Sequence, residues 1–275
     1  MDNIKLVATD LDGTLLRDDK TISPEDLAML VQLGDKNICR VVATGRNMEK
    51  VKEVIPEDVP FDYVAFSSGA GIYDCAGKRL LYSQNIPKET VNRIIRILVV
   101  KKLNFFVFRA VPMNYCCWFF RGESVCNEFE RYYGAHYAFA EELPEFGHIN
   151  AEACQFLVIF KQADEFIKLK EELEKEFGDI KILRASSPLQ TGYVWMEIFH
   201  HNVSKGNAIR FLCEYLNIGH HTTLGIGNDY NDLDLLDFTS FSYLVKNGPE
   251  ELKFRYLEAP SNEESAFSYC LKCHL

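Results

Sequence analysis

An apolar run, Ile4-Lys-Leu-Val-Ala-Thr9, leads without a break into Asp10-Leu-Asp-Gly-Thr14. That junction constrains the fold more than any other part of the 275-residue chain. The run reads as a buried strand. Two carboxylates two residues apart would share one face if the strand continued, but Gly13 and Thr14 end it. Both acids are therefore expected on a loop at the strand's C-terminal end, where open α/β sheets gather their ligands. Carboxylates held so close repel unless a cation, a shared proton or a donor-rich anion site compensates. The junction is a candidate catalytic site.

The rest of the chain is consistent with a sizeable globular core, being 47% hydrophobic and 25% charged. A formal net charge of −10 argues against a nucleic-acid or anionic-membrane partner. No apolar stretch approaches the ~20 residues that span a bilayer. Met1-Asp-Asn-Ile-Lys5 is acidic and enters a strand directly, so it does not read as a secretory signal, and a cytoplasmic location is expected. The nine cysteines are odd in number and lie in apolar runs such as Tyr115-Cys-Cys-Trp118. They read as reduced and packed as small hydrophobes. Cys270-Leu-Lys-Cys-His274 fits the haem-attachment spacing, but nothing indicates export or room for a macrocycle, and zinc would want two more ligands nearby.

Strand and helix patterns alternate over the first third. Ser23-Pro24-Glu-Asp26 opens a helix, with Ser23 as N-cap, that ends near Gly34. A strand over Cys39–Ala43, a helix over Met48–Ile55 and a strand over Tyr63–Phe66 follow. Such an order implies a parallel sheet with helices on both faces. From Ile86 the texture changes: an amphipathic helix from Pro87, strands at 105–108, 115–120 and 155–160, a helix over 163–177, and strands at 180–183 and 193–198. Parallel-sheet grammar returns with a helix over Lys205–Leu216, a strand over 222–226, an acidic loop, a helix over 233–238 and a strand over 241–245. The expected fold is α/β: a doubly wound, Rossmann-like parallel sheet interrupted once, over residues 84–199, by an α+β insertion.

Three further segments sit at strand ends or helix starts: Thr44-Gly45-Arg46, Ser204-Lys205-Gly206 and Gly227-Asn-Asp-Tyr-Asn-Asp232. Alone, each reads as a turn, an N-cap or a solvated acidic loop. Together with the first loop they supply what phosphoryl transfer requires, which is positioning and charge compensation. A carboxylate can attack phosphorus, a second can move protons, and a hydroxyl, a lysine and loop N–H groups can hold phosphoryl oxygens. Oxygen ligands from two loops suit Mg2+.

These four segments resemble, in order, the four motifs of the haloacid dehalogenase superfamily, and the long interval from Arg46 to Lys205 resembles its Cof-like IIB phosphatases. The resemblance implies a hydrolase core over 1–83 and 200–275 and a specificity cap over 84–199. It implies Asp10 as nucleophile, Asp12 as general acid and base, and Thr44 and Lys205 as phosphoryl binders. Leu11, Gly45, Arg46 and Asn231 complete the implied phosphate site. Mg2+ would be held by Asp10, the Asp12 carbonyl and the fourth motif, within which Asn228, Asp229 and Asp232 are candidates. The implied reaction is Mg2+-dependent hydrolysis of a small phosphorylated metabolite through an aspartyl-phosphate. A phosphomutase or phosphotransferase, and a phosphate-ester-binding regulatory protein, are the alternatives.

Two departures from the family pattern stand out. The fourth motif usually begins Gly-Asp, whereas this chain has Gly227-Asn228, with Asp229 one place later; an amide oxygen can bind Mg2+ but brings no charge. Where these phosphatases often have Asn-Gly, this chain has Ser68-Gly69. Arg46 is expected either to brace the acidic site or to pair with surface acids. Arg109 and Arg121 are candidates for a second anionic group on the substrate, against a salt-bridged alternative. His200 and His201 are assigned no chemistry.

Overall fold

The computed structural model describes residues 4–144, 147–186 and 192–275; the opening residues Met1–Asn3, read above as part of the N-terminus, lie outside them. The described chain separates into two compact units, Met1–Ser83 with Ser204–Leu275, and Gln84–Val203.

The first unit begins with β1 (Leu6–Thr9), α1 (Pro24–Asp35), β2 (Cys39–Ala43), α2 (Met48–Lys52), β3 (Tyr63–Phe66), β4 (Gly71–Asp74) and β5 (Arg79–Ser83). The second holds α3 (Lys88–Val100), β6 (Phe105–Arg109), β7 (Cys117–Phe120), α4 (Asn127–His136), β8 (Ala140–Glu142), β9 (Ala153–Phe160), α5 (Ala163–Glu176), β10 (Ile180–Ser186) and β11 (Val194–His200). The first then resumes with α6 (Lys205–Leu216), β12 (Thr223–Gly227), α7 (Leu233–Phe238), β13 (Phe241–Val245), β14 (Leu257–Ala259) and α8 (Ala266–Lys272).

The first unit's sheet runs β14-β13-β12-β1-β2-β3-β4-β5. β1 and β12 are buried along their whole length, as strands covered on both faces must be, and their apolar runs follow from that. On one face Leu6, Ala8, Val41 and Ala43 pack against Ala208, Ile209 and Leu212 of α6 and Leu235 of α7; α1 and α8 pack together elsewhere in the unit. From β1 the chain steps to β2 and β3 on one side, and later from β12 to β13 and β14 on the other. The strand order therefore reverses between β1 and β12, and the crevice at their C-terminal ends is the expected ligand position of such a sheet. Asp10 follows β1 there, and Asn228 follows β12.

The parallel order holds only from β14 to β3, because β4 and β5 add an antiparallel hairpin. Its short strands flank turn residues and carry no helix between them, so alternation gave no signal for it. Helix α2 is also shorter than expected, ending at Lys52.

The second unit is a six-stranded sheet, β10-β11-β9-β6-β7-β8. Val91, Ile94, Ile95 and Leu98 of α3 join Phe166, Leu169 and Leu173 of α5 in one apolar cluster with the sheet. Phe129 of α4 belongs to a separate cluster with Phe106, Leu157 and Trp195. The unit closes after Val203, four residues beyond the expected boundary at 199. His200 is the last residue of β11, paired with Ile180, and Val203 N donates back to the His200 carbonyl at 2.9 Å.

Candidate active site

Asp10 N donates to the Ile226 carbonyl at 2.9 Å, carrying the β1–β12 ladder one residue into the crevice. Asp10 is buried, its side chain 7% exposed. Its Oδ1 accepts from Lys205 Nζ at 2.6 Å and its Oδ2 from Thr14 Oγ1 at 3.3 Å. Beyond it the chain bends: Thr14 N and Leu16 N both donate to the Leu11 carbonyl. Gly13 sits at φ +75°, where a Cβ would lie 2.6 Å from Asn228 Nδ2, so glycine is needed for both conformation and space.

That bend separates the two acids. Asp12 is gripped by the Arg46 guanidinium, Nε to Oδ2 at 2.6 Å and Nη2 to Oδ1 at 2.7 Å, and Lys20 Nζ meets Oδ1 at 2.9 Å. The carboxylate that opposes Asp10 across Lys205 comes instead from the fourth segment. Lys205 Nζ lies between Asp10 and Asp232, 2.5 Å from Asp232 Oδ1, and is 1% exposed. Its position follows from the start of α6: Ser204 caps the helix, its Oγ accepting from Asn207 N. Gly206 lets the first turn press on α7, since a Cβ there would be 2.0 Å from the Asp234 carbonyl oxygen.

Asp232 serves this lysine and its own loop. Its Oδ2 accepts from Asn228 N at 2.8 Å and Asp229 N at 3.1 Å. With both oxygens so engaged, Asp232 braces Lys205 and the loop rather than facing a metal directly. Asp229 is exposed, and its Oδ1 accepts from Tyr230 N at 2.7 Å. It caps the short turn at Tyr230–Asp232, which turns its carboxylate to its own loop. The geometry thus favours Asn228 over Asp229 as the fourth-segment residue beside Asp10.

Asn228 also bears on the metal. In one amide orientation its NH2 group donates to Asp10 Oδ2 at 3.2 Å and Asp232 Oδ2 at 3.3 Å; in the other, its carbonyl oxygen faces both carboxylates. The second arrangement sets the amide oxygen beside Asp10 Oδ2 with no proton between them, a setting that suits a hard cation. The Asp10 carboxylate and the Asn228 amide oxygen therefore fit a hard cation such as Mg2+. Among the described residues no group of three or more His, Cys, Asp or Glu is placed to hold a metal.

Thr44 and Gly45 come from the turn after β2. Thr44 is buried, and its Oγ1 accepts from Arg46 N at 3.1 Å. Ser67, Ser68 and Gly69 all have positive φ, at 49°, 56° and 94°, a concentration of strain of the kind found at functional sites. Ser67 N and Ser68 N donate to the carbonyls of Arg46 and Thr44. Ser68 Oγ and Asn231 Nδ2 approach the Gly45 Cα side to within 3.8 and 4.0 Å of where a Cβ would be. Thr44, Gly45, Ser68 and Asn231 thus come together. Arg46 does not point freely at a phosphate position; it is committed to Asp12.

Burial is the largest influence on Asp10 and, with the Asp232 charge, outweighs Lys205, raising Asp10 to about 7. Asp12 is lowered to about 2: burial alone would raise it, but Arg46 and Lys20 outweigh burial. Lys205 is raised because Asp10 and Asp232 overcome the effect of burial, which acts the other way. The signs predict opposite pH effects. A carboxyl raised in the folded state contributes stability fully below its unfolded value, and that contribution is lost as pH rises through the folded one. Metal-free protein should therefore lose Asp10's contribution between pH ~4 and about 7. It should lose Asp12's contribution as pH falls from ~4 toward about 2. Thermal melts of wild type and Asp10→Asn from pH 4 to 8 test this: the wild-type decline should flatten in the variant, and equal slopes would contradict the assignment.

Sequence reasoning missed Lys20 and Asn247. Asn247 Nδ2 donates to the Gly13 carbonyl at 2.8 Å across 234 residues, and no local pattern marks such a contact. Arg109 and Arg121 are paired within their own unit, with Glu141 and Glu130. The His200 and His201 rings lie tilted against each other, their centroids 4.4 Å apart. All nine cysteines are free thiols, and His274 of the Cys-x-x-Cys-His stretch bonds the Tyr243 hydroxyl at 2.9 Å. Among the described residues no helix is long and apolar enough to cross a membrane.

Comparison with known proteins shows which family the chain resembles. A family model described as haloacid dehalogenase-like hydrolase matches residues 7–271. The HMP-PP phosphatase of Serratia proteamaculans is 25% identical over 251 residues, covering 90% of this chain and 86% of that protein. A phosphatase of the same superfamily from Bacteroides thetaiotaomicron matches in structure at TM-score 0.80 and 17% identity, covering 99% of this chain and 95% of that one. A subclass IIB sugar phosphatase matches at TM-score 0.74 and 17% identity, over 98% of each chain.

Proposed function

The chain belongs to the haloacid dehalogenase-like hydrolases, and from that membership we propose that it is a Mg2+-dependent phosphatase of small phosphorylated metabolites, working through an aspartyl-phosphate on Asp10. The observation that carries the reading is the buried trio of Asp10, Lys205 and Asp232 at the reversal point of the sheet. Relatives that bear phosphatase names, among them an HMP-PP phosphatase and a sugar phosphatase, support the substrate class. Selection among metabolites falls to the second unit, inserted between the second and third segments.

In this reading Asp10 attacks phosphorus, and Lys205 holds both the nucleophile and a phosphoryl oxygen. The Thr44 hydroxyl and the N–H groups of Leu11 and Gly45 receive the other oxygens, with Asn231 beside them. Asp12 protonates the leaving oxygen and then takes a proton from the water that cleaves the acyl phosphate. Held at about 2 in the free protein, it is ready for the second of these tasks; the first requires Arg46 and Lys20 to shift toward substrate oxygens. Mg2+ would be held by Asp10, the Asp12 carbonyl and Asn228, where it offsets the charge of the phosphoryl group and aligns it for attack.

The direct test is hydrolysis of p-nitrophenyl phosphate with Mg2+ and after chelation. Activity that survives chelation, or persists in Asp10→Asn, would sink the mechanism. Calorimetry on Asn228 variants checks the ligand set. Asn228→Ala should weaken Mg2+ binding about tenfold or more, and Asn228→Asp should strengthen it by adding charge. Equal affinity in all three proteins would remove Asn228 from the site.

A further inference from the structure

The turn that follows β13 touches both acid-bearing loops of the first unit. On the first loop, Asn247 Nδ2 donates to the Gly13 carbonyl at 2.8 Å, while its Oδ1 accepts from Asn262 N at 3.4 Å. Both ends of the amide are used, which fixes its orientation. Asn262 carries the link onward, its Nδ2 donating to the Leu16 carbonyl at 3.0 Å and to Asp18 Oδ1 at 3.1 Å. On the fourth segment, a Cβ on Gly248 would lie 2.9 Å from the Asn228 carbonyl oxygen, so the turn rests directly on that backbone. A little further along, Glu251 Oε1 accepts from the Tyr230 hydroxyl. Gly13 lies between the two loops. A Cβ there would come 2.6 Å from the Asn228 side-chain amide and 3.4 Å from Asn247 Nδ2, so two amides flank it. Asn247 itself is exposed, and core packing gives no reason for an amide at that position.

We propose that Asn247 is a positioning residue for the cation: by holding Gly13 it keeps the Asp12 carbonyl and the Asn228 amide at the spacing that selects Mg2+ over Ca2+. The inference rests on the Mg2+ reading, in which those two groups are ligands beside Asp10. Mg2+ demands near-ideal octahedral geometry from its oxygens, whereas Ca2+ accepts more of them in looser arrangements. A site that discriminates must therefore keep its ligands from spreading. Asp10 is fixed by the β1–β12 ladder and by Lys205. Gly13 lies beyond the strand end, and a glycine backbone is the freest of any residue. Its carbonyl is caught from across the crevice by Asn247, and the Asn228 side chain packs on the Cα face that results. An uncharged donor suits this task. A lysine or arginine there would compete with the cation for the acids, and a carboxylate would have no proton to give the Gly13 carbonyl.

Calorimetric titration of Mg2+ and, separately, of Ca2+ into the full chain tests this without requiring turnover. Wild type, Asn247→Ala and Asn247→Leu are compared by the ratio of the two affinities. The ratio should fall about tenfold in both variants, with most of the loss on Mg2+. Leucine keeps the bulk of the side chain and removes only its hydrogen bonds, so agreement between the variants excludes an effect of lost volume. Thermal melts of the metal-free proteins supply the control. A merely structural asparagine would lower the melting temperature and leave the affinity ratio where it was, and that result would overturn the proposal. Wild type that binds neither ion would sink the Mg2+ reading, and the role of Asn247 with it. Wild type that prefers Mg2+ beside an Asn247→Ala protein with the same ratio would sink the positioning role alone.

Discussion

Replacing Asp10 by asparagine should reduce turnover of any phosphate ester by about 10^4-fold or more while leaving the fold intact. The amide keeps the shape of the side chain and loses the nucleophilic oxygen. Its stability effect runs against the usual expectation for a buried polar substitution. Asp10, Lys205 and Asp232 carry a net charge of −1 in a pocket where none of the three is more than 7% exposed. Removing the charge at Asp10 leaves one lysine paired with one aspartate, and burial no longer opposes an ionised carboxyl at position 10. Urea unfolding of the metal-free protein at pH 8 should therefore show Asp10→Asn as stable as wild type, or more stable by about 1 kcal/mol. A variant that lost activity by unfolding would leave the role of Asp10 unsupported.

Lys205→Met should be the most damaging substitution in the molecule, because it removes function and stability together. Without the ammonium, Asp10 and Asp232 face each other in a buried pocket with no cation between them. Breaking a buried ion pair from one side is expected to cost about 3–5 kcal/mol. The loss should be largest at pH 8 and should shrink below about pH 7, where Asp10 takes up a proton. Turnover should fall by at least about 10^3-fold, as both the nucleophile and the phosphoryl oxygens lose their partner. Denaturant midpoints at pH 5 and pH 8 measure the first effect and steady-state assays the second. A stability loss independent of pH would mean that Lys205 acts through packing of its stem instead.

Much of this was legible in the sequence because the site is assembled from strand ends and helix starts, which local rules govern. Asp10, Asn228 and Lys205 each follow or open an element whose apolar pattern was plain, and the bounds of β2, β3, α6 and α7 fall where that pattern placed them. What stayed hidden is set by contacts between residues distant in the chain. The bond from Asn247 to Gly13 spans 234 positions and the bond from Asn262 to Leu16 spans 246. No periodicity records either. Asp232 was a candidate to orient Lys205, as it does, but its place as the like-charge neighbour of Asp10 emerged only with the fold. The left-handed run at Ser67–Gly69 was equally opaque, since serine carries no marker for positive φ.

The account stands or falls on whether Asp10 carries the phosphoryl group. Rapid quench of the working enzyme during turnover, followed by borohydride reduction and peptide mass analysis, converts an aspartyl-phosphate to homoserine at the residue that bore it. Homoserine at position 10, absent when substrate is omitted, is the predicted result. Phosphate released at full rate with Asp10 unmodified, or homoserine at another aspartate, would contradict it.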